Sequence, residues 1–360
     1  MKNIGMYLSF GAIFLLCIAT IFIAKPVENQ TLIAKETRTV KAQSTRIPTV
    51  CWWPLDNSGI HAGGANFTPE QMCAAVAEIG GAHDIPPKTH WELIKSRGQM
   101  IDCTMCEWSG DLAGEAPFGP SIGDADPVRR AEIVGQMKAW MDLAKMEGIP
   151  KMLCFFGNKS GDDTEEQWTR IDQSLRVLSR HAVSKGIKLC FEPLNSIDFG
   201  DIPLAGMKGH PGQFCSDPIE FLRHLEKIGK PEVCGLAFDF YHPAAQFRDR
   251  WVSTTDVADA RLAVTSELLA MYAVCEKYVL HIHTAGVTLD DARMRGELHL
   301  DGQLIDYRAL MDHVWRSGYT GNWLIEYVST EGADLSISTR QSLVLSGLHK
   351  AVKLCEPKGA

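Results

Sequence analysis

Short apolar, β-rich runs recur along the chain between longer segments in which apolar residues return every three to four positions, the two periods that separate strand from helix. Eight runs read as strands: Thr49–Trp53, Ala82–Ile85, Met100–Thr104, Lys151–Phe156, Lys188–Glu192, Cys234–Asp239, Tyr278–His283 and Asn322–Tyr327. Helices are expected at Thr68–Ile79, Lys88–Ser96, Pro127–Glu147, Glu165–Lys185, Pro218–Ile228, Thr254–Glu276, Tyr307–Ser317 and Leu335–Leu354. The first opens on Thr68-Pro69-Glu70, a hydroxyl cap with proline in the first turn. Strands alternating with helices imply parallel pairing, and eight such units predict an α/β fold, a single closed (β/α)8 TIM barrel. No linker rich in Gly, Pro or Ser divides residues 47–356, so that span reads as one domain.

Ahead of the barrel the pattern changes. Lys2 precedes an uncharged, mostly apolar run from Asn3 to Ala24, closed by Lys25. A cationic start followed by an apolar stretch is what the export machinery reads, and the stretch is close to the ~20 residues needed to cross a bilayer. Residues 1–25 are therefore expected to be a signal peptide or N-terminal membrane anchor, and 26–46 a polar linker. Ala24 at −1 with bulky Phe22 at −3 is a poor cleavage site, which leaves a retained anchor open beside a cleaved leader. The expected location is outside the cytoplasm, periplasmic or held at a membrane.

Composition narrows the function more than the fold. Of 360 residues, 45% are apolar and 22% charged, which excludes a disordered polymer and a polytopic membrane protein. Thirty-six Lys and Arg stand against 44 Asp and Glu, a net charge of −8. That balance lacks the counterion-release drive of a nucleic-acid binder, so a small molecule is the expected partner and a nucleic acid is not. Ten of the 11 cysteines follow Cys17, and Cys51, Cys154, Cys190 and Cys234 sit inside strand runs, where a free thiol behaves as a small hydrophobe rather than as part of a disulfide framework. Cys103-Thr-Met-Cys106 has redox spacing but follows a strand and does not open a helix.

The chemistry-bearing residues close successive strands. Strand five runs into Glu192-Pro193-Leu194-Asn195, strand six ends Asp239-Phe-Tyr-His242, strand seven reads His281-Ile-His283 and strand eight ends Glu326-Tyr327. The C-terminal rim of the strands is where a barrel of this kind does its chemistry. Burying two Glu, an Asp and a His together without a cation costs like-charge repulsion and desolvation. Three carboxylates and an imidazole suit a fairly hard divalent ion, Mn2+ or Mg2+, with Co2+ as a further candidate. His281 and His283, two apart, face the same way; His283, nearer the rim, is the better ligand, and His281 suits a hydrogen-bonded core position. Glu192 and Glu326 can flank a substrate as acid and base, and His242 can hydrogen-bond a substrate hydroxyl or carbonyl. Proton removal beside a carbonyl, through a metal-stabilised enediolate, then gives isomerisation or epimerisation.

These strings resemble the hydroxypyruvate isomerase family within the xylose-isomerase-like TIM barrels, which also include ketose 3-epimerases. The resemblance runs from about Val50 to Val352. It is carried most specifically by Asp239-Phe-Tyr-His242 and His281-Ile-His-Thr-Ala-Gly-Val287, and supported by His90-Trp91-Glu-Leu-Ile-Lys-Ser-Arg-Gly98, Phe191-Glu-Pro-Leu-Asn-Ser196 and Gly318-Tyr-Thr-Gly321. It implies that Glu192, Asp239, His283 and Glu326 bind the metal, that Glu192 and Glu326 exchange protons, and that His242 touches substrate. It also places His210, in Gly209-His-Pro-Gly-Gln-Phe-Cys215, near the pocket. Similar sequences follow Thr-Ala-Gly-Val with Pro-Gly-Arg; here a longer segment, Thr288 to His299, displaces the arginine, and Arg293 or Arg295 is its stand-in, with Arg293 expected at the substrate. No role is carried onto Asp84. The expected activity is a divalent-metal-dependent isomerase or epimerase of a small keto-sugar or hydroxy-keto acid, with a homo-oligomer as a further expectation. The alternative is a lyase, a dehydratase or a 3-keto-glycoside-cleaving enzyme on the same barrel. An endonuclease-type phosphodiesterase is disfavoured by the acidic charge and by the lack of further His, Asp or Glu motifs on strands two to four.

Overall fold

The eight apolar runs become eight strands: β1 (Pro48–Cys51), β2 (Ala82–Asp84), β3 (Ile101–Met105), β4 (Lys151–Cys154), β5 (Lys188–Phe191), β6 (Cys234–Asp239), β7 (Val279–Thr284) and β8 (Trp323–Ile325). The computed structural model describes residues 46–52, 66–114, 119–161, 163–198, 209–251, 256–289, 295–296, 302–326 and 336–357. Each strand pairs in parallel with the next, and β1 pairs with β8, so that Thr49 lies opposite both Ala82 and Leu324 and the sheet closes. Ladder pairing stops a residue or two before several of the expected strand ends, because Ile85, Phe156 and Glu192 already belong to the loops at the C-terminal mouth. Trp53 and Tyr327 lie outside the described residues, as do the leader and all of the linker but Arg46.

The helices are α1 (Pro69–Glu78), α2 (Trp91–Ser96), α3 (Pro127–Met146), α4 (Thr164–Lys185), α5 (Pro218–Ile228), α6 (Tyr241–Arg248), α7 (Val257–Cys275), α8 (Tyr307–Arg316) and α9 (Ile337–Cys355). Their starts follow the local chemistry. At α1, Thr68 Oγ1 accepts from Gln71 N and Gln71 Oε1 accepts from Thr68 N, a reciprocal cap with Pro69 in the first turn. α4 ends on Gly186 at φ 67°, a left-handed cap that glycine adopts without steric cost. The segment Lys88–Ser96 divides into a 3-10 turn, Lys88–His90, and α2. α6 is a helix beyond those expected, lying between β6 and the helix expected from Thr254.

Two apolar layers result. The larger lies between strands and helices, where Phe156 packs edge-on to Phe221 at 4.6 Å and stacks on Phe191 at 5.2 Å. Each such fully buried ring stabilises the fold by about 1.5–3 kcal/mol. The smaller layer fills the barrel with Cys103, Leu153, Cys190, Ala237 and Leu280. All ten described cysteines are buried free thiols, and burial pushes Cys106, Cys190, Cys234 and Cys275 up to about 12. Cys103 belongs to the barrel interior and Cys106 to the outer layer, so the pair with redox spacing is divided between two cores. Among the described residues, no helix is long and apolar enough to cross a membrane.

Candidate metal centre and active site

The strands deliver the expected residues to one place. Glu192 follows β5, Asp239 ends β6, His283 is the penultimate residue of β7 and Glu326 follows β8. One ligand atom from each lies within 4.8 Å of every other, and all four side chains are buried. Register explains the convergence: His283 sits directly opposite Asp239 on one side and Leu324 on the other, two residues before Glu326. Backbone bonds carry the alignment past the strand ends, with Glu192 N donating to Cys154 O (3.0 Å) and Glu326 N to Thr284 O (3.0 Å).

The donor set fits a divalent cation. His283 Nδ1 lies 3.0 Å from Glu192 Oε1. That is about the separation of two adjacent donors sharing one octahedral ion at ~2.1 Å. His283 Nε2 is buried without a hydrogen-bond partner, and three carboxylates share the same enclosed space. Holding three like charges there is costly unless a cation compensates them. Oxygen donors with one imidazole and no thiolate suit a hard or borderline ion rather than a closed structural zinc site.

His242, in the first turn of α6, stands against this group. Its Nε2 lies 3.3 Å from Asp239 Oδ2 and 3.5 Å from Glu192 Oε1. Its Nδ1 accepts from Asn195 N at 3.1 Å, with the Asn195 side-chain nitrogen at 2.9 Å. A backbone N–H can only donate, so Nδ1 is the acceptor and the ring proton sits on Nε2, facing the carboxylates. Tyr241 N donates to Asp239 Oδ1 at 2.7 Å, which turns the start of α6 toward the strand end. His210 is also brought in: it is buried, its ring centroid is 5.3 Å from that of His242, and its backbone N–H donates to Asn195 O at 3.2 Å. Arg293 lies outside the described residues, and of Arg295 only the backbone is described, paired with Val287.

Below the four candidate ligands lies a second buried polar group, of which only His281 is expected from the sequence. His281 Nε2 is 2.8 Å from Asp84 Oδ2, which also accepts from Thr49 Oγ1 at 2.8 Å. Lys151 Nζ lies 3.3 Å from His281 Nδ1 and donates to Asp102 Oδ2 at 2.7 Å, while Asn322 Nδ2 donates to Asp102 Oδ1 at 2.9 Å. An ammonium only donates, so His281 Nδ1 is an acceptor and its ring is neutral, with Nε2–H given to Asp84. Burial pushes the Asp84 carboxyl up, and the hydrogen bonds it accepts from His281 and Thr49 pull it down again by favouring the carboxylate. Burial and the neighbouring Lys151 lower His281. His281 thus has the hydrogen-bonded core position expected of it. β2 and β3 do carry buried acids, contrary to the expectation for strands two to four. Asp102 and Lys151 are paired with each other deep in the barrel, and Asp84 is engaged by His281. The only signal in the sequence was a charged residue inside an apolar run, as in Ile101-Asp102-Cys103 and Lys151-Met152-Leu153.

Comparisons with known proteins agree with this architecture. No functionally curated sequence matches the chain. Among solved structures, an AP endonuclease, family 2, from Brucella melitensis superposes with a TM-score of 0.57 at 15% identity, covering 80% of this chain and 94% of that one. 3-Keto-D-glucoside 4-epimerase from E. coli gives 0.54 at 16% identity, covering 84% and 99%. The IOLI protein, solved with a zinc atom, gives 0.53 at 12% identity, covering 86% and 98%. At these identities the likeness concerns the fold alone. The model of the xylose isomerase-like TIM barrel family matches residues 92–344, most of the barrel and all four strand ends that carry the candidate ligands, and the chain belongs to that family.

Proposed function

We propose that the protein is a divalent-metal-dependent isomerase or epimerase of a small keto-sugar or hydroxy-keto acid, similar to hydroxypyruvate isomerases. The observation that carries the proposal is the buried convergence of Glu192, Asp239, His283 and Glu326, with His242 held over two of them by Asn195. Among the fold relatives are the 3-keto-D-glucoside 4-epimerase and a D-psicose 3-epimerase solved in the presence of D-fructose, whose names point to the same reaction class.

The four candidate ligands would hold the cation, which supplies Lewis-acid polarisation of substrate oxygens and neutralises negative charge as it develops. Mn2+ or Mg2+ suits three carboxylates and one imidazole, and the zinc in the IOLI protein leaves other divalent ions open. Glu192 and Glu326 lie after β5 and β8, on different sides of the space that Asp239 and His283 close from β6 and β7. One carboxylate removes the proton on carbon beside the carbonyl; the other returns a proton to the neighbouring carbon for isomerisation, or to the opposite face of the same carbon for epimerisation. His242, its proton fixed on Nε2, donates to the substrate oxygen on which charge builds during proton removal. Water exclusion by the buried walls strengthens each of these contacts.

The test is solvent-deuterium incorporation into a panel of ketoses and hydroxypyruvate, followed by NMR. Isomeric product with deuterium at the exchanged carbon supports the proposal, whereas loss of a leaving group points to a lyase. E192Q and E326Q should each lower exchange by about 100-fold or more, the scale of a positioned acid–base group. Exchange at the wild-type rate in both variants would refute the proton-transfer roles.

A further inference from the structure

α6 is tied to β7 and its following loop at both of its ends, and the tie at the far end is a buried guanidinium. At the near end, Phe240 N donates to His283 O at 3.3 Å. At the far end, Arg248 Nε donates to Thr288 O and Arg248 Nη2 donates to Leu289 O, both at 2.8 Å. Arg248 is 2% exposed, and its contact with the side chain of Asp249 is long, at 3.8 Å. The start of this loop is held in turn: Leu304 N donates to Val287 O at 2.8 Å, and Thr288 bridges to Gln303. Burying a guanidinium is costly, and two backbone carbonyls are a specific use for its planar fork. That use joins the helix bearing His242 to the chain leaving the strand that bears His283.

We propose that Arg248 is a positioning residue of the active site, clamping α6 onto the loop after β7 and so holding His242 Nε2 between Glu192 and Asp239. The inference rests on the reading of His242 as a substrate-contacting group. The path is short and continuous. His242 lies in the first turn of an eight-residue helix whose last residue is Arg248, and its Nδ1 accepts from Asn195 N. If the far end swings, the near end pivots about Phe240, and His242 leaves the acceptor position that fixes its proton. A shift of about 1 Å at such a group costs up to about 100-fold in rate.

Two measurements on the full chain test this. The first needs no substrate: hydrogen exchange of the Asn195 amide, whose acceptor is the His242 ring. In R248M its protection should fall at least tenfold, while amides inside β7 stay protected. R248K, which keeps the charge without the fork, should give an intermediate loss and serves if R248M does not fold. The second is a cycle with H242N in the deuterium-incorporation assay. R248M should lower kcat/KM at least tenfold in the wild-type background and less than twofold beside H242N, because the clamp acts through that ring. Unchanged Asn195 protection, or the same factor in both backgrounds, overturns the proposal. If the wild type exchanges deuterium into no ketose tested, the functional reading fails and the Asn195 amide alone decides the clamp.

Discussion

At the scale of single residues, the site was legible where a charge ends an apolar run. Glu192, Asp239, His283 and Glu326 each do so at a strand end, and the fold brings all four within 4.8 Å. Asp102, Lys151 and Asn322 were not legible, because one charged residue in an apolar run does not name a partner 49 or 220 positions away. Their pairing decides what substitution does. Removing Lys151 leaves Asp102 buried and uncompensated, so K151M should destabilise the fold by about 3–5 kcal/mol, and K151M with D102N by clearly less. Urea denaturation measures both; a loss below about 1 kcal/mol in K151M would contradict the pairing. His83 offers a pH test. Trp52 Nε1, which can only donate, gives its hydrogen to His83 Nδ1 at 2.7 Å, and burial pushes His83 down to about 4. The unfolded ring takes a proton near pH 6.5 and the folded one does not until about 4. Stability from this group is therefore complete above 6.5 and lost as pH falls from there to 4, by about 3 kcal/mol at most. H83Q should flatten that part of the stability–pH curve; an unchanged slope would show that His83 is not its source.

At the scale of elements, all eight strands were readable, because each is a short apolar run and most of the helices between them open on a side-chain cap, as at Thr68, Asp126, Asp163, Asp217, Asp256, Asp306 and Ser336. α6 was not, because it starts one residue after β6 and carries Pro243 in its first turn, so its periodicity merges with the strand before it. The contact between β6 and β7 matters most, since those strands carry Asp239 and His283. The approach is close at Gly235, where an added Cβ would collide with the Tyr278 carbonyl and crowd the Leu280 side chain. The carbonyl is backbone in the 3-10 turn Glu276–Tyr278 that leads directly into β7, next to the Val279 that pairs with Leu236, so it is not free to move aside. G235A should therefore cost more than about 2 kcal/mol, beyond the typical loss for a surface substitution. A melting temperature equal to wild type would contradict this close approach.

At the scale of the whole molecule, the described chain is a closed parallel barrel whose candidate site gathers on the half of the mouth formed by β5 to β8. The acidic net charge gains a local meaning there, since three of the carboxylates behind it surround the candidate cation site. An ion that binds the folded barrel but not the unfolded chain raises stability by about 2.7 kcal/mol at 100 times its dissociation constant. The buried free thiols suit a core that stays reduced. The central claim is that Glu192, Asp239, His283 and Glu326 form one cation site. Calorimetric titration of Mn2+ into chelator-stripped protein tests it most directly. One ion per chain, with affinity reduced at least 100-fold by H283A, is the predicted result; no binding, or equal affinity in H283A, would contradict it.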